Sequence, residues 1–486
     1  MPKKTSSIPA NILALIPAEE KGCSAYENKA RGVYYVFRRL STKYDPRKGR
    51  GVETRESVGV IRNNQFFYSK AYLAKRDVER LSGKLFNPTQ EEIKGKKKLN
   101  QLIDTVQDPR MQGKIKYRLD MILLVSVLSA LSGGNSAVSI ALYWRQHHDQ
   151  LKNLIDDFPE KDISHDTINR VFQIIKREQF ESLVEKLATP LVRNIAKRLL
   201  HTDGQSVRAS RNAAKKVERS FLSVYDSTNG LIISHKEIGQ KENEIPVSQE
   251  IFKSLEIENA VVTADALNTQ KKFAEVLVER KADYCLAVKE NHKKLYETIR
   301  ALFNDPDNLR KENKSVDCEH GRIEERTIEV MNPKFLGRRL LEQWPGLKTG
   351  AIIAATTQSE EKRNDAREKT SKSRETRYFI SSLAFNGKGG ATEFAEIIRK
   401  HWSIENNVHW TLDNCFNQDK IQAKNENYLA ARVTLNKIAF NLLTKKKEEL
   451  IKSGMHRLSM DSLKQLCQSP ADALETVYNV LGTSWS

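Results

Sequence analysis

RLLHTDG (residues 198–204), SFLSVYDSTNG (220–230) and LIISHKEIG (231–239) follow one another in the middle of the chain, and NAVVTADA (259–266) and DYCLAVKE (283–290) come after them. Each is a short run of β-branched, aromatic and aliphatic residues that stops at Asp, Gly, Asn or a charged residue, the composition of a strand bounded by turns. The first three read as a meander. PVSQEIFKSLEI (246–257) and TQKKFAEVLVERK (269–281) lie before and after the fourth run and carry apolar residues at helical spacing. A meander followed by β-α-β predicts an α/β domain built on one mixed sheet.

Downstream, residues 291–375 hold strand-like runs (RIEERTIEV, 322–330; GAIIAATT, 350–357) and a charged loop, SEEKRNDAREKTSKSRET (359–376), which together read as a β-rich insertion. The sheet pattern resumes at RYFISSL (377–383), and a long helix is expected from about Ala391, carrying FAEIIRKHWSIENNVHWTLD (394–413). Upstream, Pro88 to about Leu200 has helical periodicity, and KGKKK (94–98) reads as a lysine-rich linker at its boundary. Ser164 is placed to cap a helix beginning at His165, with Asp166 in its first turn. The run Leu119–Leu131, ended by Gly133 and Gly134, reads as a buried helix. It falls well short of the ~20 apolar residues that span a bilayer. Residues 31–73 alternate aromatic or β-branched with polar residues around DPRKGRG (45–51), a hairpin pattern. The expected organisation is a basic β module over 1–90, a helical domain over 91–198, a catalytic α/β domain over 199–445 and a helical tail over 446–486.

Lys and Arg number 81 against 62 Asp and Glu, a formal charge of +19 spread along the chain, which favours a polyanionic partner. Five scattered cysteines without a C-x-x-C pair point away from a zinc ribbon or a redox motif and towards reduced thiols in a cytosol. The first twenty residues lack an apolar run of signal-peptide length, so a cytoplasmic protein with no membrane role is expected. The N-terminal hairpin carries Arg38, Arg39, Lys43, Arg47, Lys48, Arg50 and Arg55 among Tyr34, Tyr35, Phe37 and Tyr44. Such a ribbon can lie in a DNA groove, or can be a solvated edge kept basic against aggregation.

Asp203 precedes Gly204 and Asp265 follows VVTA, which places both carboxylates at strand ends, where they suit a hard divalent cation or serve merely as turn residues. Glu405 lies within the long helix with Trp402 three residues before it and His409 four after, all on one stripe. An acid held between an indole and an imidazole needs a partner, which a metal would supply.

Eight motifs resemble the DDE insertion-sequence transposases, and among them the H-repeat-associated group. They occur in order over roughly 105–445: DPRMQGKIKYRLDMILL (108–124), SHDTINRVF (164–172), TDGQSVRAS (202–210), GQKENEIP (239–246), VVTADALNTQK (261–271), ADYCLAVKENHKKL (282–295), HGRIEER (320–326) and HWSIENNVHWTLDNCFNQD (401–419). The resemblance implies a ribonuclease H-like fold whose acidic triad falls on Asp203, Asp265 and Glu405, with Mg²⁺ or Mn²⁺ as cofactor. It implies double-stranded DNA, both transposon ends and target, as partner, and a homodimer or larger assembly on that DNA. Departures from the family pattern are Gln205 where Lys is usual, and Ile398, His401 and Leu412 where the wider group often has Tyr, Arg and Lys.

The implied function is metal-dependent DNA cleavage and strand transfer. A nuclease that does not join strands and a catalytically silent DNA-binding protein are the alternatives. Arg208, Lys241, Lys289, Lys293, Arg399 and His401 are candidates for phosphate contacts, each equally readable as a solvated cation. Trp402 and Trp410 could stack on a distorted base, although core packing is the expectation for at least one of them.

Overall fold

The computed structural model describes residues 8–17, 20, 22–28, 32–45, 50–62, 64–69, 72, 89–193, 195, 197–210, 218–239, 244–319, 322–362, 370–384, 390–455 and 458–485. Strands β1 (Ser24–Asn28), β2 (Val33–Asp45), β3 (Arg50–Arg62) and β4 (Gln65–Tyr68) form an antiparallel four-stranded sheet in sequence order. Val36, Val58 and Ile61 are buried together with Ile12 and Tyr72, and a β-bulge that skips Val58 in the β2–β3 register lets Val58 and Ile61, an odd spacing apart, join the same core. The turn of the basic ribbon, with Arg47 and Lys48, lies outside the described residues.

The helical segment begins with α1 (Gln90–Ile103), α2 (Leu119–Leu131), α3 (Ala137–Gln146), α4 (His148–Leu154), α5 (His165–Ile174) and α6 (Arg177–Ala188). KGKKK is therefore the interior of a helix and not a linker. Thr89 and Glu92 close a reciprocal capping box at its start, and lysine is a good helix former. Gly95 has a packing reason: a Cβ there would come 1.9 Å from the backbone oxygen of Tyr478, because the C-terminal helix crosses at this point. Helix α2 is buried all round apart from Asp120 and Ser132 beyond it, as its unbroken apolar sequence predicts. Ser164 caps α5 through the backbone N–H of Thr167.

The remaining strands form one nine-stranded sheet, β10-β11-β12-β13-β9-β8-β5-β6-β7. β5 (Leu199–Val207), β6 (Arg219–Asp226) and β7 (Leu231–Ile238) are the antiparallel meander. Helix α7 (Glu244–Ser254) leads to β8 (Val261–Ala264), which pairs parallel with β5, and α8 (Lys271–Glu279) leads to β9 (Asp283–Val288), parallel to β8. Helix α9 (Lys293–Asn304) then precedes β10 (Lys311–Glu319), β11 (Arg322–Met331), β12 (Ala351–Lys362) and β13 (Thr370–Ser381). These four strands extend the central sheet, since β13 pairs antiparallel with β9 from Tyr378↔Val288 to Ser381↔Cys285. Part of the charged segment expected to be loop is thus strand, and 363–369 fall outside the described residues.

Helix α10 (Gly390–His401), a π-helical segment (Ile404–His409) and α11 (Trp410–Asn414) follow, then α12 (Glu426–Lys452), α13 (Met460–Leu466) and α14 (Pro470–Gly482). The 27-residue α12 runs between the sheet and the helical segment with most of its first half buried. Its Asn441 accepts from the backbone N–H of Ile232 and donates to that residue's carbonyl, each at 2.8 Å. This serves the β-bulge where Ile233 is skipped in the β6–β7 register, so backbone groups released by the bulge keep partners. No helix among the described residues is long and apolar enough to cross a membrane.

Candidate active site

β5 and β8 run in parallel register until Thr202 meets Ala264, and there β8 ends. β5 continues to Val207, held on its other side by β6 with Asp203 opposite Ser223. Asp203 is therefore mid-strand, a correction to its expected place at a strand end, but it is the first residue of β5 whose β8 side is open. Asp265 is the residue immediately after Ala264, so the two carboxylates leave neighbouring strands about 4.8 Å apart at the same level.

Asp203 and Gln205 share a face of β5, and that face meets the segment after α10. Gln205 Nε2 donates to Asp413 Oδ1 on α11 at 2.9 Å, and its Oε1 accepts from Gln418 Nε2 at 2.9 Å. Gln205 thus forms an amide clasp that seats α11 against β5, and Asp413 serves that clasp. With α11 so anchored, the preceding π turn brings Glu405 to the cleft. Its carboxylate residue is exposed, while Ile404 and Val408 of the same turn are buried. Widened π turns interrupt the regular ladder and recur at functional sites.

Asp203, Asp265 and Glu405 all line one cleft of about 860 Å³, together with Lys289 and Asn291 after β9, Glu375 and Arg377 on β13, and His401 and Trp402. Burial lifts the Asp203 carboxyl to about 7, and the charges of Glu405, Asp265 and Glu244 push in the same direction. His409 Nδ1 stands 3.6 Å from Asp203 Oδ2, but burial, reinforced by Lys437, holds that imidazole down at about 4. It brings no positive charge near neutrality. His401 is also held at about 4 by burial, against the pull of Asp265, and its Nδ1 lies 2.7 Å from Thr263 Oγ1.

Among the described residues no group of three or more His, Cys, Asp or Glu side chains is arranged to hold a metal ion as it stands. The donor set nevertheless suits a hard divalent cation: three carboxylates line one cleft, and Asp203 is raised first by burial and then by the neighbouring acids, both of which a bound cation would offset.

The cations singled out from sequence divide. Lys289 lines the cleft and is exposed. Arg208 is exposed just beyond β5, near Asp413. Lys293 is exposed and lies 3.9 Å from Glu297. Arg399 points to β10, pairing with Asp317 at 2.9 Å, and does not line the cleft. Lys241 lies outside the described residues, as does the side chain of Arg50. Arg38 is a brace of the N-terminal sheet, donating to buried Glu20 at 2.7 Å and to the Tyr72 hydroxyl at 2.9 Å. Arg39 pairs with Glu53 at 2.9 Å. Neither tryptophan is core: Trp402 is 38% and Trp410 60% exposed. Arg377 stacks over the Trp402 ring at 4.5 Å.

Sequence reasoning missed Arg377, Asn268 and Glu244. Asn268 donates to Asp265 Oδ1 from its backbone N–H and from Nδ2, each at 3.1 Å. Asn268 and Glu244 both lie inside quoted motifs, VVTADALNTQK and GQKENEIP, but nothing in their spacing reveals that they meet.

The Transposase DDE domain family matches residues 196–442, and the DDE_Tnp_1-associated family matches residues 100–188. The chain is 30% identical over 361 residues to "Putative transposase YncI" of Escherichia coli O157:H7, covering 73% of this chain and 89% of that one. It is 29% identical over 369 residues to "H repeat-associated putative transposase YhhI" of Escherichia coli K12, covering 74% of this chain and 93% of the relative. With the Transposase DDE domain match starting just before β5 and ending inside α12, the chain belongs to the DDE transposase family.

Proposed function

We propose that this protein cleaves the DNA ends of a mobile element and joins the freed 3′ ends to target DNA, with Asp203, Asp265 and Glu405 as the residues that hold Mg²⁺ or Mn²⁺. The observation that carries this reading is the convergence on one cleft of three acids from β5, the end of β8 and the π turn, in a chain of this family. The strand order β7-β6-β5-β8-β9, antiparallel in its first three and parallel in its last three, supports a ribonuclease H-like core. Bound divalent cations would supply neutralisation and polarisation of the attacked phosphodiester.

The chain's own residues position. Lys289 faces the cleft, where it can take a phosphate oxygen, and Arg377 can do so by exchanging Glu375, to which it donates at 2.8 and 3.1 Å; Trp402, held under Arg377, presents an exposed ring to a base. In the first step a water oxygen bonds to phosphorus as the P–O3′ bond breaks, and the departing 3′ oxygen ends protonated. In the second, that 3′-hydroxyl attacks a target phosphodiester, loses its proton, and releases a new 3′-hydroxyl. Neutral His401 and His409 leave the negative field of the acids unopposed, which favours cations in the cleft, and neither imidazole is protonated at pH 7 to act as an acid.

The test uses the full chain with linear duplexes carrying the sequences that flank its gene. Mg²⁺- or Mn²⁺-dependent nicking at one defined end, and joined products on sequencing, are expected. Glu405→Gln should lower cleavage by several orders of magnitude while DNA affinity stays within a few-fold of the parent. Unimpaired cleavage by that variant would remove Glu405 from the triad. Nicking without joined products would reduce the activity to a nuclease.

A further inference from the structure

We propose that Glu244 is a fourth carboxylate of this site, binding divalent cation together with Asp203 and Asp265 from the other side of strand β5. This rests on the reading above and adds a ligand to it. Glu244 is the first residue of α7, and helix starts tolerate an acid well. Its side chain reaches the loop after β8. There Asn268 Nδ2 donates to Glu244 Oε2 at 3.2 Å and to Asp265 Oδ1 at 3.1 Å, so one amide nitrogen holds an oxygen of each acid.

Two further observations point beyond a structural hydrogen bond. Asn268 is fully buried, yet its Oδ1 has no hydrogen-bond partner among the described residues, so the amide that joins the two acids is itself incompletely satisfied at the same spot. Gly204, next to Asp203, is the point where the Glu244 carboxylate rests on β5: a Cβ there would come 2.2 Å from Glu244 Oε1. Any other residue would expel the acid. The Asp-Gly pair in TDGQSVRAS thus presents one carboxylate on one face of β5 and admits another on the opposite face.

The charges agree. Burial first, then Glu405, Asp265 and Glu244, raise Asp203; burial first, then Asp265, raise Glu244; and no basic side chain among the described residues pairs with Glu244. Holding repelling carboxylates together costs stability unless a cation joins them. Four carboxylates match the charge of a pair of divalent cations, where three leave an excess.

The experiment is Mn²⁺ titration of the full chain, read by the electron paramagnetic resonance signal of free Mn²⁺ and by the thermal unfolding midpoint with and without the ion. Parent, Glu244→Gln, Glu244→Asp, Glu405→Gln and, as a control on the exposed surface, Glu258→Gln, whose side chain pairs with Lys281 at 3.1 Å, are compared. Glu244→Gln keeps an oxygen for Asn268 and removes the charge, so metal-free unfolding should be unchanged or shifted upward. Its Mn²⁺ affinity should fall about ten- to a hundred-fold, with a smaller loss for Glu244→Asp. Glu244→Gln and Glu244→Asp both binding Mn²⁺ like the parent, while Glu405→Gln binds weakly, would overturn the assignment of Glu244 alone. Metal-free unfolding lowered in Glu244→Gln with Mn²⁺ affinity intact would make the residue structural. A parent that binds no Mn²⁺ would overturn both this proposal and the metal site of the proposed function.

Discussion

Replacing Asp203 with Asn should stabilise the metal-free protein above neutral pH and do nothing in acid. The Asp203 carboxyl is raised from an ordinary 3.8 to about 7, first by burial and then by Glu405, Asp265 and Glu244. A raised carboxyl binds its proton more tightly folded than unfolded, so its contribution is fully present below about 4. It is lost as pH rises through about 7. A shift of roughly three units at ~1.4 kcal/mol each comes to about 4 kcal/mol. Asn carries no such burden. In EDTA, urea unfolding followed by circular dichroism should give equal midpoints for parent and variant near pH 4. The gap should open in the variant's favour between pH 4 and 7, then level off at up to about 4 kcal/mol. Comparing the two proteins removes the buried groups they share, among them His401 and His409, whose lowered values act with the opposite sign. Adding Mg²⁺ should stabilise the parent alone and narrow the gap. A gap that is constant with pH, or a variant less stable at pH 8 than at pH 4 relative to the parent, would refute the account of a charge-strained acid.

Gly95→Ala places a methyl group against the Tyr478 backbone, so it should cost about 1–3 kcal/mol and make the C-terminal helix the first part to exchange in hydrogen-exchange mass spectrometry. Gln205→Ala leaves Asp413 and Gln418 without their clasp. It should cost about 2 kcal/mol in urea unfolding, and more at pH 8 than at pH 5, because the raised carboxyl of Asp413 then loses a hydrogen bond in its charged form. DNA affinity measured by fluorescence anisotropy should fall at least tenfold between 50 and 200 mM salt, given the chain's charge; a flat response would remove phosphate contacts as its basis.

The strands of the central sheet were legible because β5 to β9 are short apolar runs between turn residues, and a buried run of that kind has few other fates. Their register was not. That β8 stops one pair short of Asp203 follows from where the loop carrying Asn268 folds back, a tertiary matter that strand propensity does not contain. The helix over KGKKK was hidden by composition, although Thr89 and Glu92 stand at capping-box spacing and carried the local signal. Among the cations, Arg399 and Lys289 look alike in sequence, yet Arg399 is neutralised by Asp317, 82 positions earlier, and Lys289 faces the cleft.

The same limit separates Glu244 from Glu405. Glu405 advertised itself because an acid between Trp402 and His409 on a helix stripe is costly without a partner. Glu244 looks like an ordinary acid in a first helical turn, where it is expected for the helix dipole. Only the close approach at Gly204 and the Asn268 amide shared with Asp265 distinguish it, and these are made by residues 40 and 24 positions away. Local sequence announces an acid that breaks a local rule; an acid that satisfies one while serving the site can be found only once the strands are in register.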